Sequence, residues 1–185
     1  MLVEVRWHGR GGQGIVTVSR MLAYAALLDG MYVQAFPEFG PERRGAPVTG
    51  YTRISDEPIS IHSQIYNPNI VVIVDPTLIG KIDLTKGLVP NGIVVANTEK
   101  SPRELKKEIK IEKAKVYTVN AVRIALDVLG RPIYNTAMLG ALVKAVPVTK
   151  MDSLIKVVLE RFPGAVGEKN VAVVKRAYEE AYGFE

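Results

Sequence analysis

The chain has 185 residues, of which 48% are hydrophobic and 23% charged, a composition typical of a globular protein rather than a disordered one. It contains no cysteine, which excludes disulfides, thiolate zinc sites, cysteine-ligated iron–sulfur clusters and cysteine nucleophiles. The formal net charge of +5 favours acidic partners or ligands, and at roughly 100–200 residues per domain the length predicts a single domain over residues 1–185.

The N-terminal third of the chain alternates strand and helix patterns and then forms a predicted hairpin. Its predicted elements are a strand at Leu2–Trp7, a helix at about Ile15–Leu28, and strands at Tyr32–Phe36, Val48–Ile54 and Ile59–His62. The last two strands flank a Ser-Asp-Glu-Pro turn, which predicts that they pair antiparallel. Between the second and third strands, Glu38–Pro47 is rich in glycine, proline and charge, as is typical of a long exposed loop.

The remainder of the chain continues the alternation and ends in helices. Three strands are predicted at Ile70–Val74, Gly92–Ala96 and Lys115–Val119, and helices at Pro102–Glu112, Val122–Leu129, Thr136–Ala145, Met151–Phe162 and Val171–Tyr182. Such alternation implies helices on both faces of a largely parallel sheet, and the hairpin makes the sheet mixed. We therefore predict an α/β fold: a three-layer single domain with a mixed, mainly parallel sheet and a Rossmann-like glycine loop after the first strand.

The glycine-rich segment between the first strand and the first helix is the strongest local motif. Its glycines fit the G-x-G-x-x-G spacing, which allows a tight turn and lets the backbone approach a ligand. The free N–H groups of the following helix suit a phosphate or another anion. The candidate anion-binding residues here are Gly9, Arg10, Gly11, Gly12, Gln13 and Gly14. The simpler interpretation is a tight turn without a ligand.

A second candidate anion site lies in the exposed loop, where Glu42, Arg43 and Arg44 follow a proline. Arginine's planar fork binds a diphosphate or a partner carboxylate through paired hydrogen bonds. The alternative is a loop that only packs against another subunit. Asn135 and Thr136 begin a predicted helix, where Asn135 either caps the helix or lies with Thr136 in a ligand cleft.

Polar residues also follow three predicted parallel strands, at Asp75, Asn97 and Asn120. Ligands of open α/β sheets bind at the carboxyl ends of the strands, so we expect the cleft at this edge. No arrangement of a nucleophile and a base is visible, so no catalytic residue is predicted. Two histidines, His8 and His62, are too few to predict a metal site, and His8 is expected to be packed.

Neither a membrane nor a nucleic acid is a predicted partner. No segment approaches the ~20 uninterrupted apolar residues of a membrane span. The N-terminus lacks a signal peptide's pattern, so we expect a cytoplasmic protein. The lysines are interleaved with acidic residues and form no basic stripe with aromatic residues, unlike a nucleic-acid-binding surface. The density of lysine and glutamate favours a thermophilic source.

Three stretches together resemble one known family. They are the glycine loop Gly9–Gly14, the segment Phe39-Gly-Pro-Glu-Arg-Arg-Gly45, and Tyr134-Asn-Thr-Ala-Met-Leu-Gly-Ala-Leu142, followed by Glu168-Lys-Asn170 and Ala177-Tyr-Glu179. In this order and spacing the chain is similar to the gamma subunits of pyruvate and related 2-oxoacid:ferredoxin oxidoreductases. One departure is Ala46, where many relatives have glycine, which restricts the backbone there.

The resemblance implies a subunit that is not an enzyme alone. Enzymes of this family decarboxylate a 2-oxoacid, here expected to be pyruvate, with transfer of electrons to ferredoxin and of the acyl group to coenzyme A. The resemblance places thiamine diphosphate, Mg and 4Fe-4S clusters on alpha, beta and delta-type partner subunits, so that this chain holds no cofactor alone. It implies that the gamma subunit helps to bind coenzyme A as the shared substrate and to assemble the complex. Two alternatives remain, a free-standing Rossmann-like dinucleotide-binding oxidoreductase and a purely structural subunit.

Overall fold

The computed structural model describes residues 1–38 and 43–184. The strands in this part of the chain are β1 (Leu2–Arg10), β2 (Tyr32–Pro37), β3 (Pro47–Ser55), β4 (Ile70–Ile73), β5 (Ile93–Asn97), β6 (Lys115–Val119) and β7 (Tyr182–Phe184). The helices are α1 (Ile15–Leu28), α2 (Pro102–Glu108), α3 (Ala121–Leu129), α4 (Asn135–Ala145), α5 (Met151–Arg161) and α6 (Ala165–Glu180). A short 3-10 turn follows β4 at Pro76–Leu78.

All of these strands form one sheet in the order β2-β3-β1-β4-β5-β6-β7. Its centre is parallel, since β1 pairs with β4, β4 with β5 and β5 with β6 in that sense. Its two edges are antiparallel, because β3 runs against both β1 and β2, and β7 runs against β6. The predicted mixed α/β sheet is therefore confirmed.

Helices cover both faces of the sheet, which gives the predicted three layers. The larger core lies on the face of Val5 and Trp7, where α1, α4, α5 and α6 contribute buried apolar side chains. α4 is the innermost helix and is buried from Asn135 to Val143. On the opposite face, Val71 and Val94 pack against Leu105 of α2 in a smaller core. The described residues contain no helix long and apolar enough to cross a membrane.

The predicted hairpin between Val48–Ile54 and Ile59–His62 was wrong. The first of these segments forms β3, but residues 59–62 lie in no strand. Both edges of β3 are already occupied, since Pro47–Ser55 pairs with β1 along its whole length and with β2 on its other side. The carbonyl of Ile61 instead accepts a hydrogen bond from Gln34 Nε2 at 3.0 Å.

Other boundaries differ less from the prediction. α1 and β6 begin and end where the periodicity placed them. α6 begins at Ala165 rather than Val171, and α2 ends at Glu108 rather than Glu112. β7 was not predicted, because three residues are too short to show a strand alternation. β1 extends to Arg10, so Gly9 and Arg10 are strand residues rather than loop residues.

Candidate functional site

The topology of the sheet marks a crevice between the carboxyl ends of β1 and β4. The chain leaves β1 through α1 toward β2 and β3 on one side, whereas it leaves β4 toward β5 and β6 on the other. Ligands of open α/β sheets bind where the connections diverge in this way. The glycine loop after β1, Asp75 after β4 and the start of α4 meet at this point.

The glycine loop (residues 9–14) and the described segment that carries Arg43 and Arg44 (residues 43–46, the arginine loop) are joined by hydrogen bonds. The N–H of Gly11 donates to the carbonyl of Ala46 at 2.8 Å, and the N–H of Gly45 donates to the carbonyl of Gly11 at 3.0 Å. A Cβ atom at Gly11 would lie 2.4 Å from the carbonyl oxygen of Arg43, so only glycine allows this approach. The sequence predicted two separate anion sites, and the structure places the two segments in contact.

Asp75 is the buried centre of the crevice and is only 4% exposed. Its Oδ1 accepts the N–H and the hydroxyl of Thr77 at 2.8 and 2.7 Å. Its Oδ2 accepts Gln13 Nε2 at 2.6 Å and lies 3.3 Å from Arg10 Nε. Burial acts to raise the pKa of Asp75, but the hydrogen bonds from Thr77 and Gln13 and the charge of Arg10 lower it below its ordinary value. Asp75 is therefore an ionised carboxylate whose acceptor positions are used within the protein.

Gln13 connects Asp75 to the backbone of the glycine loop. Its Oε1 accepts the N–H of Arg10 at 2.7 Å, while its Nε2 donates to Asp75 and also to the hydroxyl of Tyr134 at 3.2 Å. Burial, and then the charge of Asp75, raise the pKa of Tyr134, so this hydroxyl stays protonated at neutral pH. Gln13 thus holds the loop against the ends of β4 and the start of α4.

The side chain of Arg10 is committed to contacts within the protein. Its Nη1 donates to the carbonyl of Gly45 at 3.0 Å, and its Nε and Nη2 donate to the hydroxyl of Thr77 at 3.1 and 3.0 Å. In this structure Arg10 therefore connects β1 to the arginine loop and to the turn after β4. Its predicted role as a ligand contact would require the same donors.

Several donors at the same edge remain without acceptors among the described residues. They are the backbone N–H groups of Gly12 and Gly14 and those of Ile15, Val16 and Thr17 at the start of α1. The side chain of Arg44 runs across Gly12, since a Cβ atom there would lie 3.7 Å from Arg44 Cγ. Arg43 and Arg44 are exposed, and neither guanidinium has a hydrogen bond or ion pair to the described residues. Glu42, the third predicted residue of this loop, lies outside the described residues.

The start of α4 contributes one of its two predicted residues to the crevice. Asn135 is the first helical residue, and Tyr134 occupies the N-cap position without a side-chain cap, so the prediction of Asn135 as the cap was wrong. Asn135 Nδ2 instead reaches the carbonyl of Gly14 at 3.4 Å, and its Oδ1 is buried without a partner among the described residues. Thr136 points away, because its hydroxyl donates to Asn170 at 2.8 Å inside the helical layer.

Of the three polar strand ends, only Asp75 belongs to the crevice. Asn97 is buried and bonds the carbonyl of Val74 and the N–H of Ala121, both at 3.0 Å. Asn120 caps α3 by accepting the N–H of Arg123 at 3.0 Å. Sequence reasoning did not single out Thr77 or Tyr134 as crevice residues. The described residues contain no cluster of three or more His, Cys, Asp or Glu that could hold a metal ion.

Comparisons with known proteins identify the family. The model of the pyruvate ferredoxin/flavodoxin oxidoreductase family matches residues 4–180. The pyruvate/ketoisovalerate oxidoreductases common subunit gamma of Pyrococcus furiosus is 51% identical over 184 residues, covering 100% of both chains. Pyruvate synthase subunit PorC of Methanothermobacter marburgensis is 49% identical over 178 residues, covering 96% of this chain and 97% of the relative.

Solved structures agree with the sequence matches. The crystal structure of the pyruvate oxidoreductase subunit PORC of Thermotoga maritima superposes with a TM-score of 0.89 at 39% identity, over 100% of this chain and 99% of that one. The 2-oxoglutarate:ferredoxin oxidoreductase of Magnetococcus marinus shares the fold with a TM-score of 0.78 at 18% identity, over 96% of this chain but 30% of that one.

The fold is that of an α/β subunit of an oxidoreductase. The chain belongs to the pyruvate ferredoxin/flavodoxin oxidoreductase family, and it is a gamma subunit of a pyruvate/2-oxoacid ferredoxin oxidoreductase. The family resemblance drawn from the three sequence stretches is thereby confirmed.

Proposed function

We propose that this gamma subunit binds the phosphates of coenzyme A at the joined glycine and arginine loops. In the complex, thiamine diphosphate, Mg and the 4Fe-4S clusters are held by alpha, beta and delta-type subunits. Those subunits convert the 2-oxoacid, coenzyme A and oxidised ferredoxin to acyl-CoA, carbon dioxide and reduced ferredoxin. The gamma subunit contributes the site that orients coenzyme A and a loop surface for assembly. Pyruvate is the 2-oxoacid that we expect.

The observation that carries this proposal is the set of unused donors around Gly12. Backbone N–H groups at a helix N-terminus attract anions, both through hydrogen bonds and through the positive partial charge of the helix. The guanidinium groups of Arg43 and Arg44 lie on the loop bonded to Gly11 and are not used elsewhere among the described residues. Coenzyme A carries several phosphate charges, which match donors of both kinds.

The strand order argues against a free-standing dinucleotide enzyme. Such enzymes use an acidic residue at the end of the strand that follows the first helix, next to the first strand, to bind the ribose. Here β2 follows α1 but is separated from β1 by the antiparallel strand β3. The carboxylate next to the glycine loop is Asp75, whose oxygens are already bonded to Thr77 and Gln13. Glu38 follows β2 and is exposed, but β3 separates it from β1, whereas in such enzymes the acidic residue is on the strand next to the first.

A solved relative supports the same choice of ligand. The Magnetococcus marinus enzyme was determined with 2-oxoglutarate, coenzyme A and succinyl-CoA bound. At 18% identity it shares only the fold with this chain, so the assignment of coenzyme A to particular residues rests on the unused donors described above.

Steady-state kinetics of the assembled complex test the proposal. Arg43→Ala, Arg44→Ala and Gly12→Val should each raise the apparent KM for coenzyme A, with the KM for the 2-oxoacid nearly unchanged. A charge-assisted hydrogen bond contributes about 1.5–3 kcal/mol, so each arginine substitution should raise the KM by roughly ten- to a hundredfold. Arg→Lys should recover only part of the loss, because lysine lacks the planar fork.

Lys175→Ala is a matched control, because it removes one exposed positive charge from α6. It should leave both KM values unchanged, and raised ionic strength should weaken coenzyme A binding more in the wild type than in the Arg→Ala variants. If all three loop substitutions leave the coenzyme A dependence unaltered in complexes that still assemble, the subunit is purely structural. If they prevent assembly instead, the arginine loop is a subunit contact.

A further inference from the structure

The glycine loop is held by a short chain of side-chain hydrogen bonds that begins and ends at backbone donors. At one end is the N–H of Thr77, which donates to Asp75 Oδ1 at 2.8 Å. At the other end is the N–H of Arg10, which donates to Gln13 Oε1 at 2.7 Å. Between them Gln13 Nε2 donates to Asp75 Oδ2 at 2.6 Å. Two side chains therefore connect two backbone groups that both donate.

This arrangement restricts which side chains fit at the two positions. A carboxylate offers only acceptors, whereas an amide offers one acceptor and one donor group. The N–H groups of Thr77 and Arg10 both find an acceptor, and the central contact keeps one donor, when one of the two side chains is a carboxylate and the other an amide. If both side chains were amides, an N–H donor would face another N–H donor at one of the three contacts, whichever way the two amide groups were turned. With two carboxylates, two negative charges face each other at the central contact.

We propose that Asp75 and Gln13 act together as a positioning pair, which aims the unused N–H groups of the glycine loop at the phosphates of coenzyme A. This inference rests on the proposed function of the loop. Asp75 does not contact the ligand, because it is 4% exposed and both of its oxygens are bonded within the protein. Gln13 accepts the N–H of Arg10, whereas the N–H groups of Gly12 and Gly14 have no acceptor among the described residues.

The positioning role and simple electrostatics predict opposite results for Asp75→Asn. Removing a negative charge beside a phosphate site should strengthen coenzyme A binding if charge alone matters. Under the positioning role, the substitution creates a donor–donor contact and weakens binding. The expected result is an apparent KM for coenzyme A raised about tenfold, as for one lost buried hydrogen bond. The KM for the 2-oxoacid should not change.

The decisive variant exchanges the two side-chain types. Gln13→Glu alone places two carboxylates against each other and should also raise the KM for coenzyme A about tenfold. The double variant Asp75→Asn/Gln13→Glu again has one carboxylate and one amide, with the wild-type net charge. It loses only the longer contact of Asp75 Oδ2 with Arg10 Nε at 3.3 Å, and Arg10 keeps its bonds to Thr77 and Gly45. Its KM for coenzyme A should return to within about threefold of the wild type, a coupling of the size seen for residues in direct contact.

The measurement is a double-mutant cycle on the assembled complex, with coenzyme A and the 2-oxoacid varied in turn. Thermal unfolding of each variant checks that the fold is retained. If a single variant does not assemble but the double variant does, with wild-type KM values, the pair is again supported. If Asp75→Asn tightens coenzyme A binding, or if the double variant is no better than the two singles, the positioning role is wrong.

The Arg43→Ala and Arg44→Ala variants separate this inference from the proposed function. If they raise the KM for coenzyme A while the Asp75 and Gln13 variants do not, the site is retained and only the positioning pair is rejected. If neither set changes the coenzyme A dependence, the coenzyme A site itself is rejected.

Discussion

Two regions of this subunit use arginine in opposite ways. One is the buried polar cluster on β1 and β3, formed by the buried Arg6, His8 and Arg53 together with the partly buried Glu4. There Arg53 is 1% exposed and donates to Glu4 Oε1 at 2.7 Å and to the carbonyl of Ser63 at 2.7 Å. The other region is the arginine loop, where two guanidinium groups are exposed and have no partner among the described residues.

Arg6 and His8, in the same buried polar cluster, are also hydrogen-bonded within the protein. Arg6 donates to the carbonyls of Leu84 and Lys86 at 3.1 and 2.6 Å and to His8 Nε2 at 3.0 Å. A buried charge destabilises the fold unless its donors are used, so these arginines fasten loops to the sheet. The role of an arginine in this fold therefore depends on which of its donors remain unused, and not on the residue type.

The largest effect that would test this comparison is expected at Arg53. Arg53→Ala removes the hydrogen bonds to the carbonyls of Ser63 and Gln64 and leaves the partly buried carboxylate of Glu4 without its partner, so it should lower the free energy of unfolding by about 3–5 kcal/mol. Arg123→Ala is the matched control, because Arg123 forms an equally close but exposed ion pair with Glu180. That control should lower the free energy of unfolding by less than about 1 kcal/mol. Chemical denaturation of both variants measures the difference, and equal losses would contradict the structural role of the buried polar cluster.

A pH-dependent effect is expected at His8. Burial, and then the charge of Arg6, lower the pKa of His8 to about 3, against the opposing effect of its hydrogen bond with the backbone of Leu84. The unfolded chain binds a proton near pH 6.5 and the folded chain does not, so stability is fully present above about pH 6.5 and is lost as the pH falls toward 3. Between pH 7 and pH 5 this amounts to about 2 kcal/mol.

The measurement is the free energy of unfolding as a function of pH in the wild type and in His8→Gln. The variant has no imidazole at this position, so its stability should change less over the same interval. A variant whose stability falls as steeply as that of the wild type would assign the pH dependence to other groups.

The smallest effect on stability is expected in the loop region, at Gly45. Its φ of 83° lies in the left-handed region, and a Cβ atom there would meet nothing within 4 Å. Gly45→Ala should therefore lower the free energy of unfolding by about 1 kcal/mol through backbone strain alone. It should also raise the KM for coenzyme A, because Gly45 bonds Gly11 and Arg10.

Gly130→Ala is the control for strain, since Gly130 has a φ of 69° and an equally open surrounding at the end of α3. It should cost about the same stability, through the same left-handed backbone strain, and leave coenzyme A kinetics unchanged. If Gly45→Ala and Gly130→Ala have the same KM for coenzyme A, the conformation of the arginine loop does not affect coenzyme A binding.

Local sequence patterns were sufficient to predict most of the secondary structure and to identify the family. The boundaries of α1 and β6 followed from apolar periodicity, and the glycine loop was placed between β1 and α1, because such patterns depend on neighbouring residues. The three motif stretches identified the family because their combined order and spacing are specific to it.

The tertiary structure alone decided which residues meet. The position of β3 between β2 and β1, the joining of Gly11 to the arginine loop, and the commitment of Arg10 to Thr77 all depend on contacts between residues far apart in the chain. Local periodicity carries no information about such pairings, which is why the hairpin was mispredicted. Which donors at the crevice stay unused depends in turn on the hydrogen bonds that Gln13 accepts from Arg10 and donates to Asp75. A polar group is available to a ligand only if the folded chain does not already bond it.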